Sequence, residues 1–171
     1  ALPFMGGIET HVHEVSRRLA ASGVEVTVLT TDTTGELPPS ETADGYDIRR
    51  WPAYLRSRDY LWCPGLVRHL RAAQSDYDVV HVQGVHTLVP PSALAAARRA
   101  GIPSVLTFHT GGHSSGLRNF IRPLQWKAIS PQLRSAAALV AVCEYERQTF
   151  ARVLGVDESS IRLIRNGCEP L

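Results

Sequence analysis

The 171-residue chain has a single lysine, Lys127, a single methionine and only three cysteines. Its formal net charge is +2, although 17 of its 18 basic residues are arginine. It therefore lacks the cationic excess that drives nucleic-acid binding through counterion release, and no nucleic-acid partner is expected. No stretch approaches the roughly 18 consecutive apolar residues of a spanning helix. Cys63, Cys143 and Cys168 are odd in number and far apart, with no C-x-x-C pair, which suggests neither a disulfide framework nor a zinc site. No basic segment followed by an apolar run opens the chain, so a reducing cytoplasm is the expected compartment. Two phosphate-binding signatures are also missing: G-x-G-x-x-G and G-x-x-x-x-G-K-[ST].

What is present is an alternation of helix and strand patterns. Ile8, Val12, Val15 and Leu19 recur at helical spacing in a segment that follows Gly6 and Gly7 and ends before Gly23. "VEVTVLTT" then reads as a strand, residues 32–45 as a loop, and the region of Ile48 as a short strand. "DVVHVQ", "PSVLTFH", "ALVAVC" and "IRLIRNG" read as further strands. Helices are expected at "PPSALAAARRAG", with proline in the first turn, and at "EYERQTFARVLG", while Pro131 is expected to break "LQWKAISPQLRSA". This rhythm predicts one α/β domain over 1–171, a Rossmann-like three-layer sandwich with a mainly parallel sheet. The first strand has almost no room before Gly6, so either Ala1 to Pro3 is its stub or the chain is part of a longer one.

Ligands of such sheets bind beyond the carboxyl ends of the strands. That rule singles out Gly6 and Gly7, the end of "TVLTTD", "QGVH", "TFHTGGHSSG" and "CEYE". The glycine pair before a helix fits a diphosphate held by free amides, and it fits a plain tight turn as well. His109, at a strand end, is suited to acid-base chemistry or to a hydrogen bond with a substrate hydroxyl; a buried histidine satisfied by the core would leave the same trace. His113 lies in a glycine-rich stretch whose mobility suits a closing lid, and no metal set is expected from His81, His86, His109 and His113. Arg49, Arg50, Arg56 and Arg58 interleave with Trp51, Tyr54, Tyr60 and Trp62, a pattern open to an anionic lipid, a phosphorylated acceptor or an ordinary solvated face. Asp32, after a strand, is where a nicotinamide-dependent oxidoreductase would hold a ribose. A non-catalytic flavodoxin-like module is a further reading.

Three stretches in order, "GGIETHVHEVSRRLAASGVEVTVLTT", "DYDVVHVQGVHTLVPPSALAAARRAGIPSVLTFHT" and "LVAVCEYERQTFARVLGVDESSIRLIRNGCEP", resemble the amino-terminal domain of the family-4 retaining glycosyltransferases, one half of a GT-B fold. "TFHT" is especially similar to the phosphatidylinositol mannosyltransferase branch. The resemblance implies a nucleotide-sugar donor, UDP- or GDP-linked, with no tightly bound cofactor and a hydroxyl acceptor. Retention would proceed by same-face displacement without a covalent enzyme nucleophile. Gly6 and Gly7 would then lie on the donor diphosphate, His109 would be the catalytic residue touching the transferred sugar, and Gly84, His86, Thr87 and Thr110 would face acceptor or sugar. Arg165-Asn166-Gly167-Cys168-Glu169 stands where the family's hinge reads Pro-Asn-Gly-Val-Asp, placing a hinge near 165–171. No two glutamates are eight apart, as the family's carboxyl-terminal donor half would require. The resemblance therefore implies an isolated half with negligible turnover, dependent on a carboxyl-terminal partner domain, while the arginines interleaved with aromatics leave open a peripheral contact with the inner face of a membrane.

Overall fold

The computed structural model describes residues 6–54, 61–109 and 116–167, with backbone alone at 116–123. The chain divides into two compact units, Ala1–His69 and Leu70–Leu171.

In the first unit, helix α1 (Gly7–Ala21) starts from an extended Gly6, which has no side chain to cap it, and stops where Gly23 adopts φ +86°. Of the anticipated stripe, Leu19 is 41% exposed, and Ser16 is the residue of α1 that is buried. Strand β1 (Thr27–Asp32) runs parallel to β3 (Tyr46–Pro52). Between them in the chain, but on the far side of β3 in the sheet, is β2 (Ser40–Ala43), antiparallel to β3, where the sequence reading placed only a loop. Asp44 and Gly45 join the two strands at φ +49° and +84°. That pair of left-handed residues makes the tight hairpin turn for which Asp-Gly is a favoured sequence. Along β3, Tyr46, Ile48 and Arg50 are buried and alternate with exposed Asp47 and Arg49. His13 Nδ1 lies 2.9 Å from the Tyr46 hydroxyl and ties α1 to that strand. Helix α2 (Pro64–Ala72), also missed, begins at proline, carries buried Leu66 and Leu70, and runs past the end of this unit at His69.

The second unit is a four-stranded parallel sheet in chain order: β4 (Val80–Gln83), β5 (Ser104–Thr107), β6 (Ala138–Ala141) and β7 (Ile161–Leu163). Its crossovers are α3 (Val89–Ala100), α4 (Gly116–Leu133) and α5 (Glu144–Leu154). The register aligns Val82, Leu106, Leu139 and Ile161 across all four strands, and all four are buried. Val140 and Ala141 of β6 add to the sheet's buried surface. Phe108, just past β5, stacks on Phe150 of α5 with ring centroids 3.9 Å apart, and Trp126 of α4 lies 5.0 Å from Phe150. Each buried phenylalanine contributes about 1.5–3 kcal/mol by leaving water.

Pro131 does not break α4, which continues to Leu133. A proline leaves the carbonyl four residues earlier without its amide donor. Here that carbonyl belongs to Lys127, and the Ser130 hydroxyl donates to it at 2.9 Å, so the helix runs on with the acceptor satisfied. Helices α3 and α5 end in left-handed glycines, Gly101 at φ +74° and Gly155 at φ +64°. The α/β class with mainly parallel strands is as the sequence led one to expect.

Candidate active site

The carboxyl ends of β4 and β5 place several polar side chains side by side. Ladder pairing sets Gln83 opposite Thr107, and Gly84 extends it by donating its amide to the Thr107 carbonyl at 2.8 Å. Gly84 is buried and at φ +81°, a conformation that suits glycine. Beyond Thr107 the chain buries Phe108 completely and then turns to His109, which sits at φ +48° and is only 8% exposed. A left-handed residue with a Cβ costs about 1–2 kcal/mol and persists where the surroundings hold it.

Contacts to Gln83 and His86 hold it. The His109 ring lies with Nε2 2.7 Å from Gln83 Oε1, and the His109 carbonyl accepts from His86 Nε2 at 2.8 Å. The network continues outward. Gln83 Nε2 is 3.1 Å from His81 Nε2, and Thr107 Oγ1 is 2.8 Å from the same nitrogen. Five polar side chains from two adjacent strand ends are thus joined into one hydrogen-bonded array around a strained histidine. An imidazole so placed is fixed in position before any substrate arrives, which is what a hydrogen bond to a reacting group or an acid-base role requires.

The sequence reading located His109 but gave Gln83 no role. His81 is exposed and shares a strand face with Gln83. The readable signal was the period-two alternation of "VHVQ", which puts those two residues on one side. His86 and Thr87 are engaged by the protein itself: His86 holds the His109 carbonyl, and Thr87 Oγ1 accepts from the Val89 amide at 3.3 Å where α3 begins. Thr110, His113 and the glycines at 111 and 112 lie outside the described residues, while Gly116, anticipated in the loop, opens α4. Among the described residues no three His, Cys, Asp or Glu side chains are grouped as a metal ion would need.

The first unit holds the other anticipated positions. At Gly6 a Cβ would stand 2.5 Å from Glu9 Oε2, whereas at Gly7 it would meet nothing within 4 Å. A Cβ at Gly6 would meet the end of the flexible Glu9 side chain, which can move aside, so packing demands glycine at neither position. Arg50 is withdrawn from the anionic-surface set: it is 4% exposed, paired with Glu41, and donates to the Pro38 carbonyl. Trp51 is likewise packed inward, with a Cβ on Gly65 of α2 landing 2.5 Å from its ring and His69 5.0 Å away. Arg49, Tyr54 and Trp62 do remain exposed, and Tyr54 and Trp62 exchange a pair of backbone hydrogen bonds across the intervening residues. Arg56 and Arg58 fall outside the described residues.

Asp32 is not placed to read a ribose. Its Oδ1 accepts from the Thr34 amide and hydroxyl at 2.8 and 2.7 Å, and its Oδ2 accepts from the Leu37 amide at 3.2 Å. The Thr34 hydroxyl and these amides hold its carboxyl down to about 2 against the burial that opposes ionisation.

Fold and strand-end geometry together define a Rossmann-like α/β protein whose polar site lies at the carboxyl ends of parallel strands. Comparison with known proteins makes the assignment specific. The profile described as Glycosyltransferase Family 4 matches residues 5–170, and the chain belongs to that family, as an amino-terminal domain and one half of a GT-B fold. It is 40% identical to a protein of Nocardiopsis dassonvillei named D-inositol 3-phosphate glycosyltransferase, over 96% of this chain and 42% of that one. Proteins of the same name from Catenulispora acidiphila, numbered 1, and Kineococcus radiotolerans are 32% and 30% identical, over 81% and 96% of this chain and 34% and 41% of theirs. The chain spans about two fifths of the length of the first of these relatives. Neither the oxidoreductase nor the flavodoxin-like reading finds support in these relationships. Among the described residues no helix is long and apolar enough to cross a membrane.

Proposed function

We propose that this domain is the acceptor-side half of a retaining glycosyltransferase that moves a sugar from a UDP- or GDP-linked donor to a hydroxyl of a phosphorylated cyclitol. The observation that carries the reading is His109, a strained and buried histidine fixed at the end of a central parallel strand. It contacts the transferred sugar, where a pre-placed hydrogen bond strengthens as the bond to the diphosphate breaks. The Gly7 amide, at the positive end of α1 and at a position where packing does not demand glycine, meets the donor diphosphate. Gly84 faces the acceptor, together with Thr110. The names of the relatives support the acceptor class. Displacement takes place on one face of the sugar, and the leaving phosphate takes the acceptor proton without a covalent enzyme intermediate.

A carboxyl-terminal domain of the same gene product supplies the rest of the donor site across a hinge near 165–171, and 1–171 acts as one domain against it. The protein works in the cytoplasm, and Arg49 with exposed Tyr54 and Trp62 offers a peripheral contact to anionic membrane. Incubating the complete gene product with UDP- and GDP-sugars and an inositol phosphate, and resolving the product's anomeric configuration, tests this. Expected are a glycosylated inositol phosphate with retained configuration and negligible turnover by 1–171 alone. Inverted product, or no transfer from any such donor, contradicts the reading.

A further inference from the structure

We infer that Gln83 is a positioning residue for His109: its side-chain amide ties the tautomer of the His109 ring to that of His81 and presents His109 with its lone pair on Nδ1. The inference takes the proposed role of His109 as its starting point, and the array itself carries the argument.

A glutamine amide has one end that accepts and one that donates. Its Oε1 meets His109 Nε2 at 2.7 Å, so that nitrogen bears the proton and donates. Its Nε2 meets His81 Nε2 at 3.1 Å, so that nitrogen bears the lone pair and accepts. The Thr107 hydroxyl, 2.8 Å from the same His81 nitrogen, then shares that one lone pair with the Gln83 amide in a bifurcated hydrogen bond. His81 is therefore the Nδ1–H tautomer, the less favoured form of a free neutral imidazole, while His109 is the Nε2–H tautomer. Turning the amide over reverses both rings together. No arrangement of one amide lets the two facing nitrogens be alike, so the proton on His109 Nε2 and the proton on His81 Nε2 exclude each other.

The sheet makes this coupling rigid. His81 and Gln83 sit two residues apart on β4, and Thr107 is the ladder partner of Gln83 on β5. His109 cannot swing its ring away by relaxing the backbone, because the His86 ring holds its carbonyl at 2.8 Å. A histidine with both its plane and its protonated nitrogen preset meets the sugar in one state instead of several.

The test uses the complete gene product with 15N-labelled histidine, read by long-range proton–nitrogen spectra above the imidazole titration range. Wild type is expected to show His81 as Nδ1–H and His109 as Nε2–H. Gln83→Leu should return His81 to Nε2–H and lower kcat on the order of tenfold to a hundredfold, with a smaller change in KM. Gln83→Glu accepts at both ends, so it should move His81 to Nε2–H, keep His109 as Nε2–H and restore part of the kcat lost in Gln83→Leu. Both rings found as Nε2–H in wild type would overturn the coupling. An unchanged kcat in a folded Gln83→Leu, or no recovery in Gln83→Glu, would overturn the positioning role. Because the tautomers are read without turnover, they stand or fall apart from the glycosyltransferase reading, which fails if no transfer is seen while the tautomers are as stated.

Discussion

Asp32 and His109 occupy equivalent places in their own units, each a polar residue buried at the carboxyl end of a parallel strand. They differ in what holds them. The Asp32 carboxylate is satisfied by Thr34 and Leu37, two and five residues on, so it closes its own loop and has a local structural task. His109 is held by Gln83 and His86, 26 and 23 residues away on the segment of the neighbouring strand, and it adopts a left-handed backbone that its sequence does not favour. A residue whose partners are local stabilises a turn; one whose partners come from another strand end, at a cost in backbone strain, is positioned for something outside the fold.

The comparison can be broken from beneath. Phe108 is the anchor under His109, fully buried and stacked on Phe150. Phe108→Ala should cost about 3–5 kcal/mol in chemical denaturation. It should also release the His109 backbone, with loss of the His86 contact visible in the histidine spectra. A loss below about 1 kcal/mol, the ordinary effect of a point substitution, would mean that the strand end is not anchored there.

A smaller effect isolates the strain. Glycine adopts φ +48° freely, so His109→Gly should be about 1 kcal/mol more stable than His109→Ala, the reverse of their order in an ordinary strand. Equal stabilities, or alanine above glycine, would remove strain from the argument. The smallest effect belongs to Asp32. Its carboxyl titrates at about 2 when folded against an ordinary 3.8, so its stabilising contribution is complete above pH 4 and lost as pH falls toward 2. Asp32→Asn should therefore be less stable at neutral pH and show a weaker acid dependence over that window. A variant with the wild-type acid limb would contradict it.

Much of this was legible in advance, because its causes are local. Proline in the first turn and glycine beyond the last fixed the limits of α3, and β-branched runs marked the strands of the parallel sheet. Other elements were misread although their signals are also local. Asp44-Gly45 announces a hairpin, the Arg49–Arg71 segment hides a helix behind its charges, and Ser130 supplies the donor that Pro131 lacks. The site divides in the same way. His109 was found because a strand end can be read from a run of residues. Gln83 was not, because its role depends on the register of β4 against β5, which no local pattern encodes. Arg50 was misplaced for a related reason: its burial follows from the hairpin that brings Glu41 beside it.

The most direct test sets the two strand ends against each other in the complete gene product, measuring kcat and melting temperature for His109→Ala and Asp32→Ala side by side. His109→Ala should lose on the order of a hundredfold or more in kcat and melt close to wild type, since removing a residue that acts on substrate costs rate far more than stability. Asp32→Ala should melt lower and keep its kcat within a few fold at a temperature where it is folded. A His109→Ala enzyme with wild-type kcat, or an Asp32→Ala enzyme that is fully folded and inactive, would contradict the assignment of the β5 end as the functional one.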